Sequence, residues 1–155
     1  MTIEHPGLRG LAAGFVATTL LSVLTLSRGW LPQLDLVTVL GHVGRGLLTM
    51  AGLPSIPASG WILHFAVGTL WWGVLFGIIW PILPGQRPWV RGAWFGLGAS
   101  LLVMLMVMPL AGAGYFGMQI SPLAPLVTVL LHVLYGAVLG AVFGHLTPSA
   151  ALRSV

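Results

Sequence analysis

The chain has 155 residues, of which 57% are hydrophobic and only 5% are charged, and its mean hydropathy is +1.03. An ordinary soluble domain carries about a quarter charged residues, so this composition excludes a soluble globular protein and indicates one whose solvent is the bilayer. The net charge of +4 comes from six scattered arginines rather than a clustered basic patch, which argues against nucleic-acid binding, and the lack of cysteine excludes disulfides, thiol catalysis and iron–sulfur clusters.

Four segments are long and apolar enough to cross a bilayer as helices, at about 8–27, 60–80, 91–110 and 124–146. Their apolar runs are continuous rather than alternating, which favours helices over the strands of a membrane barrel. The first segment ends in "SVLTLSRGWLP", which lacks a small-x-small cleavage site, so we expect a retained helix rather than a signal peptide. The predicted fold class is an all-α integral membrane protein forming a single membrane domain over residues 1–155.

The first outer loop is predicted to contain a short amphipathic helix lying flat on the membrane, with Asp35 as its N-cap. Two sets of residues recur there at helical spacing. The apolar set is Leu36, Leu40, Val43 and Leu47, and the polar set is Thr38, His42, Arg45 and Thr49. The glycines at 41, 44 and 46 weaken this helix.

Arginine placement predicts the orientation of the spans. With an even number of spans, four arginines fall on one side and two on the other, which makes the first side and both termini cytoplasmic. The first group is Arg9, Arg87, Arg91 and Arg153, and the second is Arg28 and Arg45. Tryptophans mark the two interfaces, Trp30 and Trp61 outside and Trp80, Trp89 and Trp94 inside.

The two halves of the chain, about 8–80 and 90–146, resemble each other. The stretch "RGLAAGFVATTL" at residues 9–20 aligns without gaps with "RGAWFGLGASLL" at 91–102. In the second and fourth spans, a histidine precedes three glycines in each. We therefore predict a duplicated two-helix hairpin, repeated in parallel about an axis near the membrane normal.

Glycines at helical spacing are predicted to pack the helices, because apolar side chains gain little by meeting each other rather than lipid. These small-residue ridges are formed by Gly10 and Gly14, by Gly92 and Gly96, by Gly73 and Gly77, and by Gly136, Gly140 and Gly144. They allow either close contact in a bundle or dimer, or a flat slot for a planar cofactor.

The buried histidines His64 and His132 are the candidate binding residues. Counted back from the cytoplasmic ends of their helices, they lie at about 24 and about 20 Å, on helices that run the same way. Two imidazoles so placed could hold one haem b. They could equally make interhelical hydrogen bonds, with Thr18, Thr69, Ser100 and Thr128 as possible partners.

The predicted spans contain no Asp, Glu or Lys, and this limits the possible functions. Ion-coupled transporters and proton pumps usually need such a residue in the membrane. The sequence also has no nucleophile–base pattern and no phosphate-cradling glycine loop. We therefore expect a protein that is not an enzyme, with no catalytic residue, no metal site and no resident cofactor.

The Arg-Gly-xxx-Gly starts and the ending "LHVLYGAVLGAVFGHL" give the whole chain a resemblance to small bacterial four-helix membrane proteins of a domain-of-unknown-function family. This resemblance implies the bacterial inner membrane and transfers no site residue. The leading hypothesis is an accessory, assembly or scaffold subunit of a membrane complex, or a homodimer, whose partners are the lipid bilayer, a second copy or a larger complex. The alternatives are a haem-binding protein using His64 and His132 and a small solute or lipid pathway.

Overall fold

The computed structural model describes residues 5–26, 36–54 and 58–148. The described part is helical, and its α-helices are α1 (Pro6–Leu26), α2 (Leu36–Met50), α3 (Ser59–Phe65), α4 (Gly73–Ile79), α5 (Pro88–Leu102), α6 (Met108–Leu110) and α7 (Ala124–Leu146). Two π-helical segments, Ala66–Trp72 and Val103–Val107, and two 3₁₀ turns, Trp80–Ile82 and Tyr115–Gly117, lie between them. Arg28, Trp30, Asp35 and Arg153, which entered the sequence predictions, lie outside the described residues.

Four helices are long and apolar enough to cross a membrane, which confirms the predicted number of spans. They are the first span (Pro6–Leu24), the second (Ser59–Ile82), the third (Pro88–Leu110) and the fourth (Ala124–Leu146). The predicted and observed bounds differ by three residues or fewer at every end. The structure is thus a multi-pass helical membrane bundle.

The spans pack as two antiparallel hairpins, the first span against the second and the third against the fourth, and the first span also packs on the fourth. Pro6 faces Gly77 and Pro88 faces Gly140, so both prolines lie at the same end of the bundle, here called the proline end. Proline suits the first turn of a helix, where its missing N–H would be unpaired in any case. The opposite end, which carries α2 and the 111–123 loop, is called the loop end.

Between the hairpins, the half of the core nearer the proline end is filled by aromatic rings. Phe76, fully buried, contacts Phe95, Phe143 and Trp80 with ring centroids 5.1, 5.3 and 5.6 Å apart. Trp72 meets Phe95 edge-on at 5.6 Å. Aromatic rings favour such edge-to-face arrangements, so this layer joins the hairpins through interlocked side chains rather than close backbones.

A helix, α2, covers the segment between the first two spans that was predicted to be amphipathic, and it docks through two of its glycines. Gly44 packs against the backbone of Gly60, at the start of the second span, and Gly46 packs against the backbone of Ala111, just after the third. The sequence treated these glycines as weak points of the helix. In the structure they are contact points, because only a residue without a side chain lets the two backbones approach so closely.

Both central spans contain a π-helical segment, and in the third span the sequence explains it. Pro109 has no N–H, and proline disrupts the α-helical hydrogen-bond ladder around it. The N–H of Met108, the residue before it, donates to the carbonyl of Val103 five residues back, which is the π-helical pattern.

Arg91 closes the short connection between the two hairpins at the proline end. Its Nε donates to the carbonyl of Gly85 at 2.7 Å and its Nη1 donates to the carbonyl of Trp80 at 3.2 Å. The guanidinium also lies 4.8 Å from the centre of the Trp80 ring, in a cation–π contact. The side chain thereby satisfies a carbonyl at the end of the second span while opening the third.

Candidate functional site

His64 is tied to the first span through Ser22. The Ser22 hydroxyl donates to the carbonyl of Thr18 at 2.7 Å, and the Nε2 of His64 lies 3.1 Å from the Ser22 oxygen. Because a hydroxyl has one hydrogen and a carbonyl can only accept, the imidazole must donate to Ser22. His64 therefore carries its proton on Nε2, and its Nδ1 is not part of this chain of bonds.

Aromatic rings hold the His64 imidazole on two sides. Trp61 and Phe65 meet it edge-on, with ring centroids 5.9 and 5.8 Å away. His64 is half-buried, near the loop end of the second span. This surrounding orients the ring toward Ser22 without enclosing it.

His132 bonds to its own helix. Its Nδ1 lies 2.8 Å from the carbonyl of Thr128, so Nδ1 carries the proton and donates. His132 lies one turn before Tyr135 and His64 one turn before Gly68, and the Tyr135 hydroxyl is bonded to the carbonyl of Gly68. The structure thus brings the two predicted histidines into one region, where each satisfies a separate hydrogen bond.

A third polar tie joins the two hairpins through Tyr135. This side chain of the fourth span is buried, and its hydroxyl donates at 2.5 Å to the carbonyl of Gly68 in the second span. The Thr18 hydroxyl of the first span lies beside the Tyr135 hydroxyl and packs against Gly68. Three spans therefore meet at one polar point inside the membrane, which we call the polar centre: Thr18, Ser22, His64, Gly68 and Tyr135.

The predicted packing glycines all lie against neighbouring helices, inside the hairpins. A side chain at any one of them would collide with another span, mostly with its backbone. Gly10 and Gly14 meet Gly73, Gly92 meets Gly136 and Gly140, Gly96 meets His132, Gly77 meets Pro6, and Gly144 meets Pro88. The space beside these glycines is filled, and a flat slot for a planar cofactor would require these contacts to open.

The contacts relate the second and fourth spans in a different register from the sequence alignment. The alignment pairs Gly68 with Gly136, whereas the contacts with the first and third spans make Gly73 the counterpart of Gly136 and Gly68 the counterpart of His132. The difference is about one helical turn. Glycines recurring every four residues allow either register, so only the contacts distinguish them.

Two members of the polar centre were missed as bonding partners. The predicted partners of the histidines were Thr18, Thr69, Ser100 and Thr128. In the structure His64 bonds to Ser22, and His132 bonds to the backbone of Thr128 rather than across helices. Tyr135 was not singled out at all. Its phenol, the only one in the four spans, was the available signal, since a buried tyrosine hydroxyl usually has a partner.

Within the described residues, no group of three or more His, Cys, Asp or Glu side chains could hold a metal ion. The hydroxyls of Thr18 and Thr69 are buried and have no hydrogen-bond partner within the same residues. The site is therefore a set of hydrogen-bonded ties between helices, with hydroxyl, imidazole and carbonyl groups as its chemistry.

Comparison with known proteins places nearly the whole chain in one group. A family described as of unknown function, DUF6789, matches residues 5–154. No curated protein and no solved structure matches the chain.

Proposed function

Since the chain belongs to DUF6789, a family of unknown function, we propose a role argued from its structure: the protein acts by association in the membrane. It serves as an accessory, assembly or scaffold subunit of a larger membrane complex, or as a homodimer. It has no enzymatic activity and no resident cofactor of its own. It resides in the bacterial cytoplasmic membrane with both termini in the cytoplasm, and α2 lies along the opposite membrane surface.

The closed interior of the bundle carries this proposal. Glycines bring the backbones of each hairpin together, and interlocked aromatic rings fill the half of the core nearer the proline end. Two hydrogen bonds of the polar centre, Ser22 to His64 and Tyr135 to Gly68, join one span to another. A protein built this way offers partners its outer surface rather than its interior. The same packing argues against a solute or lipid path through the bundle.

The outer face of the third span supports association there. Gly98 faces outward with nothing within 4 Å of where a side chain would begin, unlike the packing glycines inside the hairpins. Trp94, Leu101 and Leu102 are exposed around it. A small residue on an apolar helix face lets a partner helix approach closely, which is how membrane helices associate.

The experiment is to extract the protein into nanodiscs directly from its membrane and weigh the particles by native mass spectrometry. We expect particles holding two copies of the chain, or one copy with a partner in fixed ratio. Gly98→Leu should reduce that fraction, whereas Ala141→Leu, on an exposed position of the fourth span, should not. Particles holding one copy and nothing else would refute the proposal.

Orientation is tested separately. Arg9, Arg87 and Arg91 all lie near the proline end, and arginine-rich ends face the cytoplasm. A green fluorescent protein fused after residue 155 should fluoresce, and alkaline phosphatase at the same place should be inactive. The reverse pair of results would invert the proposed topology.

Haem is the second candidate, favoured by the placement of His64 and His132 one turn from the bond between Gly68 and Tyr135. Against it stand the hydrogen bond that already engages the Nε2 of His64 and the filled space beside the glycines. Protein expressed with haem supply should show no Soret band that depends on these residues. A band that disappears in both His64→Ala and His132→Ala would overturn the cofactor-free proposal.

A further inference from the structure

The loop between the third and fourth spans, residues 111–123, has two distinct sides. Ala111, Ala113 and Gly117 are buried, and Gly117 packs against Met108 and Ala124 at the adjoining span ends. On the other side the apolar side chains are exposed, with Tyr115 at 66% and Met118 at 55%. We call the exposed set Tyr115, Phe116, Met118 and Ile120 the loop tip.

The loop is a compact fold rather than an open connection. The N–H of Ala113 donates to Met108 at 2.9 Å, and the N–H of Gln119 donates back to Ala113 at 3.2 Å. Turns within it are closed by bonds from Gly117 to Gly114 and from Met118 to Tyr115. These bonds hold the loop against the ends of the spans, so the tip lies close to the depth at which the spans end.

Phe116 shows that the tip is held outward at a cost. Its backbone has φ 59° and ψ 11°, the left-handed region that an aromatic residue rarely occupies. Such a conformation persists only where the surroundings enforce it. Here the glycines at 112, 114 and 117, all with positive φ, shape the turn around it.

The apolar surface of the tip is continuous with the lipid-facing surface of the spans. Met106 and Leu110 are exposed on the third span before the loop, and Leu123 and Leu126 are exposed where the fourth begins. Residues 111–123 contain no charged side chain. A protein surface exposed to water rarely combines this many apolar side chains with no charged one.

We propose that the loop tip inserts into the lipid headgroup layer and anchors the loop end of the bundle in the bilayer. Tyrosine suits this layer because its ring is apolar and its hydroxyl is polar. The lipid partner is recognised by its interface rather than by its charge, since the tip carries none. Burial of the aromatic rings in lipid offsets the backbone cost at Phe116.

The test uses the absence of cysteine from the chain, which makes any introduced thiol unique. Tyr115→Cys and Met118→Cys report on the tip, and Gln86→Cys, exposed in the connection at the proline end, is the matched water-facing control. Each variant is labelled with the same environment-sensitive fluorophore and reconstituted into phosphatidylcholine liposomes. Leu102→Cys, exposed within the third span, gives the signal of a label inside the bilayer.

We expect lipids that carry a spin label near the headgroup to quench both tip labels, and aqueous iodide to quench them at least about threefold less than the Gln86→Cys label. Adding anionic lipid or salt should leave quenching by the spin-labelled lipid unchanged, because the tip is uncharged. Iodide quenching equal to that of Gln86→Cys would overturn the proposal. Labels that are open to iodide in liposomes but shielded in native membranes would also overturn it, and would identify the tip as a protein-binding surface.

Discussion

The two hairpins of the bundle make equivalent contacts with unequal helices. In the second hairpin the contacts of the fourth span fall at His132, Gly136 and Gly140, spaced by four residues throughout. In the first hairpin the corresponding positions are Gly68, Gly73 and Gly77, so one interval has five residues. Five residues of an α-helix turn about 140° beyond a full turn, which would carry Gly73 off the contact face.

The π-helix at Ala66–Trp72 accommodates this extra residue. A π-helix bonds residues five apart and so brings Gly73 back to the face of Gly68. The carbonyl of Gly68, within that segment, is the one that accepts from Tyr135 of the other hairpin. One extra residue, accommodated by a π-helix, thus preserves the packing within the first hairpin. It also provides the Gly68 carbonyl that accepts the hydrogen bond from the other hairpin.

Deleting one residue from each hairpin should expose the difference most strongly. Removing Leu70, exposed within the π-helix, restores a spacing of four residues, so the hairpin should still pack and lose only the tie to Tyr135, at a cost of about 1 kcal/mol. Removing Leu134 from the fourth span shortens the interval from His132 to Gly136 from four residues to three and turns the later contacts away. We expect folded protein from the first deletion and none from the second, measured by size-exclusion chromatography and circular dichroism.

The comparison fails if the two deletions behave alike. Equal loss would mean that the second span has no spare residue. Equal tolerance would mean that the glycine contacts do not determine the fold.

The glycine contacts themselves should come next in size. Gly92→Leu places a side chain against the carbonyl of Gly136 and must separate the helices of the second hairpin, with an expected loss of about 3 kcal/mol of unfolding free energy. Gly10→Leu should cost a similar amount in the first hairpin, where the obstacle is the carbonyl of Gly73. Denaturation by sodium dodecyl sulfate in mixed micelles, followed by circular dichroism, gives these values.

The control for both is Ala141→Leu, since this position of the fourth span is exposed. It should change the unfolding free energy by about 0.5 kcal/mol or less. A loss at Ala141 as large as at Gly92 would indicate a general effect of the larger side chain instead of a contact.

Replacing the donor of the tie tests the link between the hairpins. Tyr135→Phe removes one hydroxyl and leaves the carbonyl of Gly68 without that donor, so we expect a loss of about 1 kcal/mol. Tyr115→Phe, on the exposed loop tip, is the matched control and should have no effect. In the protein lacking Leu70, Tyr135→Phe should cause no further loss of unfolding free energy. An undiminished loss there would show that the hydrogen bond from Tyr135 does not depend on the π-helix.

The spans were predictable because a continuous apolar run of about 20 residues has few other uses. The packing glycines were predictable because small residues allow membrane helices to approach closely. The register between the halves was not predictable, because the glycines of the fourth span recur every four residues and give the same pattern when shifted by four. The π-helix was visible in the sequence as the five-residue interval between Gly68 and Gly73, but only a contact partner gives that interval a meaning.

The partners of the histidines were harder to predict for a physical reason. Ser22 lies on a different span from His64, and a sequence shows neither the rotation of a helix nor its depth. His132 satisfies itself on its own helix, which hydropathy does not distinguish from a bond across helices.

The bond between Ser22 and His64 lies within the first hairpin, and we expect it to contribute least. His64 is half-buried near the loop end and can find another partner there, so the coupling in a double-mutant cycle of Ser22→Ala and His64→Phe should be about 0.5 kcal/mol. Thr19→Ala is the matched control, since its hydroxyl makes the same bond to a carbonyl four residues back, that of Phe15. If Ser22→Ala cost no more than Thr19→Ala and showed no coupling to His64, this bond would add nothing to the first hairpin, and the Tyr135 tie would be the polar contact that matters in the centre.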